Sequence, residues 1–542
     1  MSDLPYSGSA LKRSTVHFLT GKVISALLTF GILLWVVRLL ATKEYGTYVT
    51  FVAGGDFALI ITSFGLPWIA ARYLPEFRLR ANGKLLAHFV WQIIAWICLF
   101  SVGGALLLFV ALPQLLVFMD LAQQTDVARL YLLVWMLESV RVNVQANILE
   151  PLMQQGQAQL SQIMRNLGLL LCLGVMVAVQ GKIHLRDVVL AELAGTFLGT
   201  VSALLRLVWH LPKYRDLPGK DGWRSPNWLE MWPTARHMYF SHLISLTYSS
   251  SVLVFLVQRF LGIEATALFG FILNVNGQIS RYLPATLLFG LVRPKLIASY
   301  VGEGGEEQLT RDANLIGKMS LFVLMPLLVF VWFAGGELLS LLSGGKFSQA
   351  GYYLGGVLLS LIPLSQRQII ETVAVASGKS NLCLWASFLG ILTLPLVYGL
   401  FELGFGLWSP IIAMVVGQLL FNATLVITMM ITTAYRPDTV GFFKLTVAAF
   451  VGIVLCVLTR MAWEGSLLPY VNGFVRLPTE IQAILLIIPA HQTALPTEWL
   501  GLILMAVLAC SIFLMVSYFI KPFRLEERVR LNRLLNRNVF VW

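Results

Sequence analysis

The chain has 542 residues, 58% of them hydrophobic and 12% charged, a balance that would cover a soluble globule in apolar surface and leaves membrane residence as its class. The formal net charge of +12 then reads as an orientation signal plus attraction to anionic lipid, and it requires no nucleic-acid partner. The five cysteines lie in apolar stretches without paired spacing, so they suggest packing residues rather than disulfides or a metal site.

A spanning helix needs roughly 20 predominantly apolar residues. On that rule fourteen spans are expected, at 16 to 40, 46 to 71, 86 to 112, 127 to 150, 158 to 180, 187 to 211, 238 to 261, 265 to 291, 316 to 342, 351 to 376, 381 to 401, 407 to 433, 441 to 463 and 498 to 520. The first run is too long for the apolar region of a cleaved signal peptide, and Arg38 and Glu44 follow it, so it is expected to stay as a signal anchor. Lys12, Arg13, Arg72, Arg78, Arg80, Lys84, the loop from Lys213 to Arg236 and the tail gather on one side, while Lys43, Lys182 and Lys346 fall on the other. The positive-inside rule places the first group, and both termini, in the cytoplasm.

Three longer segments remain. Pro212 to Arg236, with Trp223, Trp228 and Trp232 among charges, reads as an interfacial linker between two halves. The outer segment from Glu464 to Trp499 contains the run Ile481 to Ile488, too short to cross and suited to the interface. The tail from Lys521 interleaves Arg524, Arg528, Arg530, Arg533 and Arg537 with leucines, the pattern of a basic amphipathic helix on the inner membrane surface; an ordinary topology anchor is the alternative. Pro284, Pro294, Pro326 and Pro395 are positions where helices can bend.

Shifting the chain by 221 residues lays Arg38-Leu39-Leu40-Ala41 on Arg259-Phe260-Leu261-Gly262, and Gly46-Thr47-Tyr48 on Ala267-Leu268-Phe269. A repeat separated by six spans suggests two similar halves with a central site between them. The expected architecture is all-α and integral to the membrane: two pseudo-symmetric six-helix lobes, 1–211 and 238–433, joined by a cytoplasmic linker at 212–237. Two further helices at 434–520, with an outer segment at 464–497, and a basic cytoplasmic tail at 521–542 complete it.

The stretch Val36-Val37-Arg38-Leu39-Leu40, then Glu44-Tyr45-Gly46-Thr47-Tyr48, Phe64-Gly65-Leu66 and Ala71-Arg72-Tyr73-Leu74-Pro75-Glu76, resembles the opening helix pair of polysaccharide-type (Wzx-like) lipid-linked oligosaccharide flippases. These form a family of the multidrug/oligosaccharidyl-lipid/polysaccharide exporter superfamily. Gly336-Glu337-Leu338-Leu339-Ser340-Leu341-Leu342, with Gly345, Phe347 and Ala350, resembles the end of span nine and its outer turn, and Ala376-Ser377-Gly378-Lys379 the inner turn after span ten. Gln258, where an acidic residue is often expected, and the long segment before span fourteen depart from the pattern. The resemblance implies a bundle of two lobes that moves a polyprenyl-diphosphate-linked glycan from the inner to the outer leaflet of the cytoplasmic (inner) membrane by alternating access. It leaves open a polysaccharide polymerase or ligase as partner beside the membrane lipids.

The charges inside the spans point to the same cargo. A charge at the centre of a spanning helix costs on the order of 3 kcal/mol on insertion scales, so such groups have partners or line a wet cavity. A diphosphate headgroup calls for cations, and arginine grips its oxygens with a planar fork. Lys22, Arg141, Arg165, Arg281 and Arg367 are the candidates, with Lys22 and Arg281 favoured for the diphosphate; snorkelling is the alternative for Lys22. Glu138, Arg141 and Gln145 are spaced to share one face of span four, an ion pair fixing helix packing being the alternative; Arg367 and Glu371 do likewise in span ten, and Asn274, Gln278 and Arg281 in span eight. Asp56 in span two, beside Gly54 and Gly55, suits H+ or Na+ coupling or a pair with an arginine of another helix, and Arg38 and Arg259 read as interfacial anchors. No cofactor is expected.

No nucleotide-binding loop of the Walker type occurs, which favours a secondary carrier over an ATP-driven exporter; no enzyme is expected. A cation-coupled multidrug exporter of the same superfamily is the first rival, and its cationic cargo would favour carboxylates over arginines. A glycan polymerase or ligase on the outer face is the second, and the longest outer segment offers it only Glu464, Arg476, Glu480 and His491.

Overall fold

The computed structural model describes residues 8–152, 154–214, 219, 223–283, 286, 305–377, 379, 381–463 and 495–535. Pro284, Pro294, the outer segment 464–494 and the tail beyond 535 lie outside them. Among the described residues there is no strand, and ten helices are long and apolar enough to cross a membrane, or eleven counting one bent pair as a span. The chain is a multi-pass helical membrane protein. It divides into two compact units, Met1–Asn274 and Val275–Trp542.

The first unit holds α1 (Gly8–Leu39), α2 (Thr42–Ile61), α3 (Leu66–Arg80), α4 (Gly83–Phe118), α5 (Thr125–Val144), α6 (Gln155–Gln180), α7 (Leu185–His210), α8 (Trp228–Leu246), α9 (Ser250–Leu261) and the start of α10 (Ile263–Tyr282). The residues shared with the flippases have local reasons. Glu44 accepts from the Ala41 N–H at 3.4 Å and lies 3.2 Å from His184 Nδ1, so one carboxylate caps α2 and ties it to the start of α7. Gly46 lets the Ile263 carbonyl approach where a Cβ would sit 2.3 Å away, and Gly270 does the same for Val49, so α2 and α10 pack through small residues. Phe64 and Gly65 adopt positive φ, 43° and 73°, and turn the chain by 58° between α2 and α3.

The segment read as an interfacial linker packs into this unit. Trp223 donates to Glu76 at 3.2 Å, Tyr239 donates to the Ile61 carbonyl at 2.7 Å, and Met231 and Ala235 are buried against α3 and α4. Those contacts bury aromatic area that an interfacial segment would leave against lipid.

The second unit takes in the end of α10, then α11 (Gly305–Ser343), α12 (Gly351–Leu359), α13 (Leu361–Ala376), α14 (Asn381–Gly390), α15 (Thr393–Glu402), α16 (Trp408–Thr432), α17 (Thr439–Trp463), α18 (Leu495–Ile520) and α19 (Leu525–Leu535). Expected spans ten and eleven are each broken, with Pro363 and Pro395 in the first turns of α13 and α15, where a missing N–H costs nothing. In α11 the helix remains helical at Pro326 and kinks at Ala334, φ −133° and ψ 24°. Arg460 of α17 donates to the Phe333 carbonyl at 2.8 Å and pairs with Glu337 at 2.6 Å across the kink, giving the Gly336-Glu337 motif a structural role.

The tail forms an amphipathic helix that is tied to the second unit by ion pairs. Lys318 of α11, fully buried, bonds Asp438 at 2.6 Å and also Glu527 of α19; Arg524 reaches Asp438 at 3.0 Å, and Arg530 reaches Asp312 at 2.7 Å. Leu531 and Phe523 are buried against Leu315. Arg524, Glu527 and Arg530 find opposite charges on α11 and the turn before α17, while Leu525 and Val529 of α19 stay exposed.

Of the fourteen expected spans, the three not among the apolar candidates are the fourth, eighth and tenth, which correspond to α5, α10 and the pair α12 and α13. They are the three that carry the polar stripes, so the same residues that mark function lower their apolarity.

Candidate buried charge network

The first unit brings Glu138, Arg141 and Arg165 together and adds a residue the sequence reading passed over, Glu192 of α7. Arg141 forks onto Glu138 with contacts of 2.8 and 2.6 Å and extends its remaining nitrogen to Gln145 at 2.9 Å. Arg165, one helix away, lies 3.4 Å from Glu138 Oε2, the oxygen that Arg141 Nε also holds, and 2.6 Å from Glu192. Two arginines and two glutamates from three helices thus balance one another, as burial of charge in a low dielectric demands.

Glycine makes the room. A Cβ on Gly199 of α7 would sit 2.8 Å from Arg165 Cβ and 2.9 Å from Arg141 Cδ, and one on Gly195 would meet the Arg165 carbonyl at 2.5 Å. Any larger residue at these two positions would push both guanidinium groups out of register. Ser161 fastens the same crossing by donating to the Gly199 carbonyl at 2.9 Å.

The network runs on in both directions. Arg165 and Gln162 both donate to Asn166, which in turn donates to Thr29 at 2.9 Å and to the Ser25 carbonyl on α1. At the other end α5 opens into one π turn, Gln145–Leu149, and Gln145 there bonds Glu150, whose charge is felt by Lys22. A π turn widens the helix and re-aims side chains, and such turns recur at functional sites. The Tyr48 hydroxyl approaches Glu192, and Tyr131 stacks edge-on to Tyr48 at 6.5 Å. The Arg165 Nε contact to Glu138, at 3.4 Å, is long for a hydrogen bond, so the two groups are held there by charge.

Other sequence candidates fall elsewhere. Asp56 is exposed on α2, and its charge reaches Tyr131, while Gly55 beside it leaves room for Trp135 at 3.2 Å. Asn274 makes a long contact, 3.5 Å, to Tyr45; Gln278 is half-buried and Arg281 exposed further along α10. In the second unit Arg367 bonds Glu371 at 2.8 Å, lies 3.8 Å above the Phe421 ring and reaches Gln418 at 3.4 Å. Glu192, Glu150 and Lys318 were missed although each is a charge inside or beside an expected span, the signal that found the others. Reading for arginine favoured the cations and passed over their carboxylates.

Residues 11–287 match the model of the family described as polysaccharide biosynthesis protein, which is more than half of the chain. The chain belongs to that family. No curated protein matches it in sequence. The fold of this family member is similar to a structure titled lipid II flippase MurJ, inward closed conformation, at TM-score 0.61 and 12% identity over 93% of this chain and 99% of that one. It is also similar to an inward-facing multidrug resistance MATE family transporter of the MOP superfamily, at TM-score 0.60 and 13% identity over 75% and 94%. The Vibrio cholerae MATE transporter VcmN aligns at TM-score 0.53 and 14% identity over 78% and 96%. At such identities the likeness shows a transporter fold common to flippases and drug exporters, and the family membership agrees with the sequence resemblance.

Proposed function

We propose that this family member is a flippase that carries a polyprenyl-diphosphate-linked oligosaccharide from the inner to the outer leaflet of the cytoplasmic membrane, for cell-surface or exported polysaccharide. The observation that carries the reading is the hydrogen-bonded network of Arg141, Arg165, Glu138 and Glu192 inside a membrane bundle of the polysaccharide biosynthesis family. Balanced charges of this kind present many donors and acceptors with no net charge, which suits sugar hydroxyls passing through an otherwise apolar bundle. The diphosphate needs a cation, and Arg281, exposed on α10 and without an ion pair among the described residues, serves with Lys22, whose charge is shared with Glu150. Arg367 and Glu371 with Gln418 offer the second unit a similar polar stripe. Coupling to H+ or Na+ is assigned to Asp56, the termini to the cytoplasm, and a polymerase or ligase to the receiving side.

The multidrug exporter is the second reading, favoured by the MATE-like fold. Reconstitution in liposomes with a fluorescent polyprenyl-diphosphate oligosaccharide, with and without an ion gradient, separates the two. Protein-dependent movement between leaflets, abolished by single charge removal at Arg141, Arg281 or Arg367 in well-inserted protein, is the expected result. No movement with folded protein, or full movement in all three variants, overturns the assignment; loss of gradient response in Asp56→Asn tests the coupling residue.

A further inference from the structure

A cleft of about 840 Å³ opens on the first unit, between the second half of α4 and the first half of α5, with Arg186 at the start of α7 on its rim. It is separate from the charge network, and nothing in the transport reading uses it. Its walls are Val102, Leu106 and Phe109 from α4 and Leu130, Leu133 and Met136 from α5. Leu106 is 64% exposed and Leu133 48%, so these side chains face outward from the helical bundle and meet the bilayer.

The polar groups are all at one end. Asp126 and Arg129 stand in the first turn and a half of α5, next to Gln123 and Arg186, whereas Met136 lies ten residues deeper along the helix. At 1.5 Å per residue that is a depth of about 15 Å, half the thickness of a hydrocarbon core of about 30 Å. The cleft therefore spans one leaflet, with its charges at headgroup level and its apolar walls at acyl-chain level.

The charges are not balanced as they are inside the bundle. Arg129 lies 3.8 Å from Asp126, a loose and exposed pair, and its guanidinium rests 5.1 Å over the Phe109 ring, which holds it above the cleft. Among the described residues Arg186 makes no ion pair, so two arginines face one carboxylate. That excess of positive charge over an apolar slot one leaflet deep complements a lipid that carries a net negative phosphate headgroup. We propose that the cleft is a binding site for one anionic phospholipid, its phosphate held between Arg129 and Arg186 and an acyl chain laid against Leu106, Leu130 and Leu133.

The site does not depend on what the protein transports. Native mass spectrometry of the full chain in detergent, titrated with phosphatidylglycerol and separately with phosphatidylcholine of the same chains, tests it. The wild type is expected to retain one phosphatidylglycerol in preference to phosphatidylcholine. Arg129→Gln with Arg186→Gln is expected to weaken that binding by roughly tenfold or more, at about fivefold for each surface arginine. Leu133→Trp, which fills the slot with both arginines intact, is expected to weaken it as well. All three residues are partly or fully exposed, so the melting temperature serves as a check that each variant is folded. Equal retention of phosphatidylglycerol by the double variant overturns the site, and so does equal retention of the two lipids by the wild type. Displacement of phosphatidylglycerol by an equimolar polyprenyl diphosphate also overturns it, by making the cleft a place for cargo.

Discussion

In the first unit Arg165 sits between two carboxylates supplied by neighbouring helices of one bundle; in the second, Lys318 sits between two carboxylates from segments far apart in the chain, one in the turn before α17 and one on the tail helix α19. Both are buried cations shared by two acids. Arg165 joins helices that already pack closely through glycine, so its charges meet at a crossing that backbone contacts also fix. Lys318 joins elements that have only a small apolar contact, Leu315 with Phe523 and Leu531, so its charges hold the tail in place. Burial alone therefore does not distinguish the two networks; what the charges join does.

The largest stability effect is expected at Lys318, which is wholly inaccessible. Lys318→Met leaves Asp438 with only the exposed Arg524 and Glu527 with no cation among the described residues, at a cost of about 3–5 kcal/mol, and should expose α19 to protease. Differential scanning fluorimetry and limited proteolysis read the two effects, and a tail still protected in this variant would dissolve the contrast between clamp and site. Arg165→Met is expected to cost about 3 kcal/mol, near the low end of the same range because its side chain is 15% exposed. It should abolish transport while α19 stays protected. Adding Glu192→Gln removes one of the stranded charges and should return about 1–2 kcal/mol without restoring transport.

Gly199→Ala is a finer instrument, because it leaves every charge in place and only crowds Arg141 and Arg165. Overpacking of this kind costs about 1–3 kcal/mol, and a fall in transport larger than the fall in melting temperature accounts for would show that the arginines must hold their positions. The smallest effect concerns pH. Burial pushes the Asp438 carboxyl up, yet the hydrogen bond and charge of Lys318, the Gly441 N–H and Arg524 outweigh it and hold the carboxyl below the usual range. A depressed carboxylate contributes its full stability above the ordinary aspartate value of 3.8 and loses it as pH falls through the lower folded value. Tail protection should thus be flat from neutral pH down to about the ordinary value of 3.8 and decline as pH falls from there through the folded value; release beginning near pH 6 would point to another group.

Some of the site was open to reading along the chain. Glu138 with Arg141 and Gln145, and Arg367 with Glu371, are spaced by three and four, and a helix brings such residues to one face whatever its surroundings. Glu192 was equally visible as a carboxylate in an apolar run, but nothing in its spacing names Arg165, 27 residues away, as its partner. Gly199 reads as any small residue in a spanning helix until α6 is laid against it.

The tail was legible only in part, for a related reason. Its alternation of arginine and leucine describes an amphipathic helix, and α19 is one, but periodicity says only that an apolar face must be covered and not whether lipid or protein covers it. Leu315 of α11 covers Leu531, with Lys318 and Asp312 answering the tail's charges, while Leu525 and Val529 stay exposed.

The amino-acid sequence by itself determined that the chain is helical, crosses the membrane many times and carries charge inside it, because hydropathy and helical spacing act within a single segment. The tertiary structure alone decided which carboxylate answers which cation, where glycine lets guanidinium groups enter, and what the tail helix rests on. Those outcomes depend on atoms brought within a few ångströms from distant parts of the chain, and no local pattern encodes that proximity.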